Sequence, residues 1–383
     1  MRNTLKITII GCGIVGACLA YELSALPEVE VTVVEDRSRP GEGASGAALG
    51  ICMGVISHKT KGRNWRLRQE SLKRYDDLIA ELEAEEGEPI PYNRQGIIKL
   101  AGVEESWQGW EWLQSKRQHQ GYALELWGLP QVQAAFPALN YSTLRGAIYS
   151  PQDRQVHPRK LVQKLVQVGQ RRGVQFCFNA PVQRLIHRKI SGQERVTTVV
   201  LENQALETDY VILTAGVGNN AVIGSIAAGE ASPEPDFQPV LGQAWQVLLP
   251  ESLWAGPTSE RGLHPVLTVR DLHFVPLGPT PQYWVGATVE FSGEGESGDP
   301  LPSETIAKEL WQQAIEICPP LGEATIQQQW WGLRPRPLNQ AAPVLQWSQR
   351  LDNLLWATGH YRNGIFLAPA TALWAKEQIL NKL

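Results

Sequence analysis

Charge of one sign is what this sequence of 383 residues lacks most plainly: 35 Lys and Arg stand against 39 Asp and Glu, a net charge of −4. A nucleic-acid backbone is held by an excess of cations, so general nucleic-acid binding is not expected. Only 19% of residues are charged while 43% are hydrophobic, which excludes a disordered chain. Cysteine is sparse and odd in number. Cys12, Cys18, Cys52, Cys177 and Cys318 form no C-x-x-C pair, so a disulfide framework and a structural zinc site are both unsupported. No apolar run reaches the roughly 18 residues of a membrane span. Arg2 and Lys6 precede apolar Ile7–Ile10, but that run is too short for a signal peptide and leads into patterned glycines. The chain therefore reads as soluble and cytoplasmic. There is no internal repeat, no Ser-His-Asp arrangement and no metal-ligand cluster.

Tryptophan is abundant, with 14 residues against two Met. Trp carries a large apolar area and one N–H in search of a partner, so several are expected at a cavity or interface. At roughly 100–200 residues per domain, the length predicts two or three domains.

The N-terminus carries the first pattern. Lys6–Ile10 is a β-branched apolar run and predicts a buried strand. It leads directly into Gly11-Cys-Gly13-Ile14-Val15-Gly16, a helical stretch over Ala17–Leu26 closed by Pro27, and a second strand over Val29–Val34 that ends in Glu35. Strand, G-x-G-x-x-G, helix, strand and acid together form a dinucleotide-binding fingerprint. Gly11 permits the tight turn, Gly13 the approach of a pyrophosphate, and Gly16 close helix–strand packing. The pyrophosphate is expected on the helix N-terminus. Glu35, with Asp36 and Arg37 beside it, is placed to receive ribose hydroxyls, which favours FAD or NAD over NADP. After Glu35 come Arg37-Ser-Arg-Pro-Gly-Glu-Gly43 and Ala44-Ser45-Gly46-Ala47-Ala-Leu-Gly50, small residues that let backbone crowd a flat ligand.

Further along, Trp65–Leu82 has helical spacing and ends in the acidic run Glu81–Glu88. Gly96–Ala101 reads as a strand, a helix is expected from Pro158 to Gly173, and Val174–Phe178 reads as a strand. Pro181–Arg188, which includes Val182, and Arg195–Leu201 predict a hairpin. Tyr210–Leu213 is an apolar strand ending in Thr214-Ala215-Gly216. A linker is expected over Ala231–Pro239, then alternating strands over Gln243–Leu249, Leu267–Pro276 and Tyr283–Val289, an antiparallel sheet covered on one face. Gly293–Gly298 is the most disorder-prone stretch, and Ser303 caps a helix running to about Cys318.

The C-terminal region carries the most specific pattern: Trp330-Trp331-Gly332-Leu333-Arg334-Pro335, then Gly359-His360-Tyr361-Arg362-Asn363-Gly364-Ile365-Phe-Leu-Ala-Pro-Ala-Thr-Ala372. Together with the small-residue run, Thr214–Gly216 and Gly286-Ala-Thr-Val-Glu290, it resembles the D-amino-acid oxidase superfamily and, within it, the glycine oxidase branch. The resemblance covers nearly the whole chain, in family order. It implies an α/β fold in which a Rossmann-like FAD-binding domain (1–90, 150–225, 325–383) is interleaved with an antiparallel-sheet substrate domain (91–149, 226–324).

The resemblance also implies non-covalent FAD, because Gly332 stands in the neighbourhood where sarcosine oxidases attach flavin through Cys. It implies oxidative deamination of a small amino acid or N-alkyl amino acid, with hydride passing from the substrate Cα to flavin N5. O2 or another electron acceptor then reoxidises the flavin. A role in thiamine biosynthesis and a homo-oligomeric assembly are implied in the same way. Arg334 matches the arginine that forks onto the substrate carboxylate. Arg362 matches a second pocket residue, whose backbone carbonyl accepts the substrate amine. The helix near Ile365 points its N-terminus at the flavin, with Gly359, His360, Asn363 and Gly364 beside it. The family carries a carboxylate-binding Tyr on a central strand; Phe274 is expected at its position, with His273 as a replacement donor. Trp331 and His58 complete the expected pocket. The alternatives are a dehydrogenase using a quinone or carrier, an NAD enzyme, and a non-catalytic FAD-binding protein.

Overall fold

The structure is a computed structural model that describes residues 4–225, 234–292 and 298–382. Residues 293–297 of the stretch expected to be disordered, and 231–233 of the expected linker, lie outside the described residues. No helix among those residues is long and apolar enough to cross a membrane.

Two sheets organise the chain. The first has six strands, in the order Val344–Trp347, Leu354–Thr358, Tyr210–Leu213, Leu5–Ile10, Val29–Val34 and Gln175–Cys177. Five are parallel and Val344–Trp347 is antiparallel. The central strands are Val- and Ile-rich because both faces are covered, which leaves no solvent side for polar residues. Helices Ile14–Leu23, Gly62–Glu86, Pro158–Arg171 and Gly364–Leu380 pack on one face. A small antiparallel sheet beginning with Val182–Ile190 packs on the other. Ile14–Leu23 is apolar all round and buried at every residue, as a helix sealed beneath others must be.

The second sheet has eight strands, in the order Thr325–Pro337, Phe237–Leu248, Gln282–Gly286, Leu272–Pro276, Val266–Val269, Ile97–Gly102, Leu144–Ser150 and Glu125–Gly128. Its pairs are antiparallel except that of Val266–Val269 with Ile97–Gly102. Both faces are covered, which corrects the expectation of one. Phe274, Leu267, Ile98, Trp245 and Val285 pack under helices Leu129–Ala135 and Glu304–Ile317. On the other face Val275, Val266, Ile97 and Ala244, with Trp284 and Trp330, pack against Leu49 and Met53 from the segment after the small-residue run.

The expected strand Leu267–Pro276 is two strands. Arg270, at φ +50°, and Asp271 form a tight turn between them. That break decides which way each later side chain points, since a shift of one residue exchanges the two faces.

The chain between the small-residue run and helix Gly62–Glu86 is clamped from two sides. Asp153 is fully buried, and its carboxylate accepts from the backbone N–H of Gly54 (2.7 Å), Val55 (2.8 Å) and Ile56 (3.0 Å). Arg117, also fully buried, donates to the carbonyls of Val55 (2.7 Å), Ser57 (2.5 Å) and Lys59 (3.0 Å) and lies 3.7 Å from the centre of the Trp65 ring. Buried amides need acceptors, and each one left unpaired costs about 1–3 kcal/mol. Replacing Asp153 by Ala strands three of them. Asp153→Ala is therefore expected to lose about 3 kcal/mol or more of stability, read as a lower urea midpoint at unchanged slope. An unchanged midpoint would show that the clamp carries no stability.

Candidate active site

A glycine-lined trough opens at the carboxyl ends of the parallel strands. A Cβ on Gly11 (φ +103°) would lie 2.6 Å from Cα of Ala215, and one on Gly16 would lie 2.0 Å from the Gly11 carbonyl oxygen. These glycines exist because two backbones touch there. Thr214 locks the contact, its hydroxyl 2.9 Å from the Ile10 carbonyl oxygen and 2.8 Å from that of Gly11. Gly13 begins helix Ile14–Leu23 with no side chain of its own to cap it, and the Ser45 hydroxyl accepts from Ile14 N–H at 2.9 Å. A Cβ at Gly43 would meet nothing within 4 Å, and one at Gly216 only Pro335 Cγ at 3.8 Å. This is open space bordered by backbone donors, which suits a pyrophosphate and a flat ring.

Glu35 ends the second strand beside the trough. Its carboxylate accepts from Cys12 N–H (2.6 Å) and Arg37 N–H (3.2 Å). A carboxylate has about four acceptor directions, so it retains capacity for two ribose hydroxyls. Burial, then Asp36, pushes its pKa up to about 7, against the opposing pull of the two N–H donors. Ala180 N–H donates to the Glu35 carbonyl at 2.9 Å, which brings the chain entering Val182 alongside.

The short helix Ala44–Ala47, which holds Gly46, presses on the large sheet. A Cβ at Gly332 would lie 2.4 Å from Ala47 Cβ, and Trp330 donates its indole N–H to the Ala47 carbonyl at 3.0 Å. Two residues on from Gly332, Arg334 donates to the carbonyls of Leu241 (3.1 Å) and Thr288 (3.0 Å). Thr288 is itself held: Gln243 N–H donates to its hydroxyl at 2.8 Å, and that hydroxyl bonds the buried Glu290. The Gly286–Glu290 motif is thus the frame that sets Arg334. No carboxylate pairs with Arg334 among the described residues. Burial, then the Arg362 cation, lowers its pKa to about 10, so it stays charged at neutral pH.

Arg362 lies in the turn before helix Gly364–Leu380, and its guanidinium meets Asp271 at 2.7 Å across the gap between the two sheets. Asn363 precedes the helix without capping it by its side chain; its Oδ1 accepts from the buried Arg68 at 3.2 Å instead. The first N–H groups at Gly364 and Ile365 are therefore left uncapped by any side chain of that residue.

The other expected residues divide. His273 lies on the face shared with Val275, and Arg362, Asp271 and Arg334 all act on its ring. Burial, then Arg362, lowers its pKa to about 4. Phe274 points the opposite way, into the apolar layer under the helices, which corrects its expected place in the pocket, while the neighbouring His273 is on the other face. Trp331 is 48% exposed and alternates away from the face of Trp330 and Arg334. His58 is exposed and lies against Trp110, ring centres 4.5 Å apart. The side chain of His360 is buried, with Nε2 2.8 Å from Thr371 Oγ1, so it braces the C-terminal helix, while Gly359 (φ +65°) turns the chain ahead of it. Trp330, Thr288, Glu290 and Asp271 complete the site. Only alternation around Gly332 and the Gly286–Glu290 motif signalled any of them in sequence.

The profile of a family described as FAD dependent oxidoreductase matches residues 6–378. The chain is 31% identical over 389 residues to the "Bifunctional protein ThiO/ThiG" of Synechocystis sp., covering 100% of this chain and 52% of that protein. It thus spans about half the length of the bifunctional relatives it matches. It is 26% identical to a glycine oxidase of Bacillus licheniformis, covering 99% of this chain and 94% of the relative. The fold is similar to that of glycine oxidase from Bacillus cereus, with a TM-score of 0.82 at 23% identity over 99% of this chain and 96% of the other.

The trough suits FAD, and Glu35 provides a test of that fit. At about pH 8.5, above its pKa of about 7, Glu35 is ionised, and Glu35→Gln keeps the shape but replaces a charged acceptor. It is expected to weaken FAD binding by about 1.5–3 kcal/mol, the range for hydrogen bonds to a charged group. Titration of the apoprotein with FAD, followed by flavin fluorescence, measures this. Equal affinity in the variant would remove Glu35 from the ribose site.

Proposed function

The chain belongs to the FAD-dependent oxidoreductase family, and on that premise we propose that it oxidises a small amino acid or N-alkyl amino acid. One observation carries this reading. Arg334 is a largely buried guanidinium, fixed by the carbonyls of Leu241 and Thr288, with no carboxylate partner among the described residues. A buried cation is costly unless an anion joins it, and a planar guanidinium pairs best with a carboxylate. The similarity to glycine oxidases supports the same substrate class.

Bound FAD supplies the two-electron acceptor. The residues of this chain supply position. Gly11, Gly13, Gly16 and the N-terminus of helix Ile14–Leu23 would hold the pyrophosphate, with Glu35 at the ribose. The uncapped start of helix Gly364–Leu380 offers partial positive charge to the ring. Arg334 fixes the substrate carboxylate, and the backbone carbonyl of Arg362 accepts from the substrate amine. Trp284 and Trp330, packed edge to face with centres 5.9 Å apart, wall one side from water. No protein nucleophile enters the scheme, because the redox chemistry belongs to the cofactor and the protein contributes orientation and electrostatics. With Gly332 against Ala47, no thiol is present there to attach the flavin. The flavin in this reading is non-covalent, the electron acceptor is O2 or a quinone-type carrier, and the product serves thiamine biosynthesis.

Four measurements test the proposal. Anaerobic addition of amino and N-alkyl amino acids should bleach the flavin band near ~450 nm; if no member of a broad panel does so, the assignment is wrong. Mixing the reduced protein with O2 and, separately, with a quinone then identifies the acceptor. Arg334→Ala should keep FAD while losing about 2–5 kcal/mol in kcat/KM, the scale for a buried charge pair deprived of one partner. Unchanged kinetics would refute its carboxylate role. Acid precipitation should release all flavin to the supernatant.

A further inference from the structure

The ring of His273 is held in one orientation by Thr268, whose hydroxyl lies 2.7 Å from Nδ1 and 3.2 Å from the Leu272 carbonyl oxygen. A hydroxyl has a single proton. The carbonyl can only accept, so both contacts are hydrogen bonds only if Thr268 donates to Leu272 and receives from Nδ1–H. The opposite assignment sets two oxygen lone pairs against each other. The charges acting on the ring are the Arg362 cation, then Asp271 in the opposite sense, then Arg334. Nε2 has no hydrogen-bond partner among the described residues. The groups around the ring are Thr268, Asp271, Arg334 and Arg362. Burial and the two cations hold the ring neutral well above its pKa of about 4, so the lone pair is present throughout the neutral range.

We propose that His273 is a substrate-positioning residue that turns its Nε2 lone pair to the substrate amine and makes the site selective for a primary amine. The proposal rests on the amino-acid oxidase reading above and deepens it. With the carboxylate on Arg334, two acceptors face the amine: the carbonyl of Arg362 and Nε2 of His273. The free base of a primary amine has two N–H groups, one for each acceptor. The free base of an N-methyl amine has one and leaves an acceptor unpaired. A hydroxyl at this position would donate to the carboxylate instead, so an acceptor here moves selectivity from the carboxylate to the amine.

The test uses the FAD-loaded enzyme and four probes. Glycine and N-methylglycine are followed by anaerobic stopped-flow reduction of the flavin, whose saturation gives an apparent Kd. Acetate and glycolate, which have no amine, are titrated through the visible spectrum of the flavin. His273→Phe should weaken glycine by about tenfold, the worth of one hydrogen bond, and should erase a similar share of the glycine over N-methylglycine preference. Acetate should move by less than about twofold, since it carries no donor for the acceptor, and glycolate, whose single hydroxyl proton can go to either acceptor, should move by no more than glycine does. His273→Gln, whose side-chain carbonyl can accept, should restore most of the preference, and Thr268→Val, which frees the tautomer, should lower it. The Gln and Val variants decide the matter if the Phe variant does not fold. Equal weakening of acetate and glycine would make His273 a carboxylate donor and overturn the proposal, as would an unchanged preference in every variant. A wild-type flavin reduced by neither amino acid, yet perturbed by acetate, would overturn the amino-acid reading itself and the proposal with it.

Discussion

The two sheets meet where Gly332 lies against Ala47, with room for a hydrogen atom and nothing larger. Everything at the site depends on that approach. It brings the strand that carries Trp330 and Arg334 onto the short helix Ala44–Ala47, whose Ser45 reaches the first N–H of the helix that follows the glycine-rich turn. The strand that carries Arg334 and the glycine-rich turn are thereby set in one frame, with the Gly332 backbone against the short Ala47 methyl in place of an adaptable side chain. Close packing makes such a contact stiff, so small errors there are transmitted to Arg334.

Electrostatics follow from that geometry. The site contains two guanidiniums, one engaged with Asp271 and one with carbonyls only, and a histidine that burial keeps uncharged. The helix ends at Gly13 and Asn363 add partial positive charge without adding a proton that can leave. The net charge of −4 says nothing of this, because the field that matters is local and built from a few oriented groups.

What was legible in sequence was what is local. The turn at Gly11–Gly16, the acid at Glu35, the small-residue run and the C-terminal motif are each determined within a few residues, and the structure places them around one trough. The parity of side chains was harder to read. Arg270-Asp271 carries no glycine to mark a turn, so Leu267–Pro276 reads as one strand in sequence, and the resemblance, which sets Phe274 at the pocket with His273 as a replacement donor, does not tell which of the two faces it. The same parity separates Trp330 from the exposed Trp331. Asp153 and Arg117 were not legible at all. Their partners are backbone groups about 60 to 100 residues away in the chain, and backbone leaves no mark in sequence.

That last arrangement has a consequence for how this protein tolerates change. The path of residues 54–59 is set by a carboxylate on one side and a guanidinium on the other, both addressing main-chain atoms. The shape of the segment therefore rests on those two groups as well as on its own buried Val55 and Ile56 and on Gly54, which has no room for a side chain. An exposed residue such as Lys59 is free to vary without altering the route of the chain, while much of the information that fixes that route is stored at two distant positions. Within this stretch, the fold is inherited through Asp153 and Arg117, and the surface can drift.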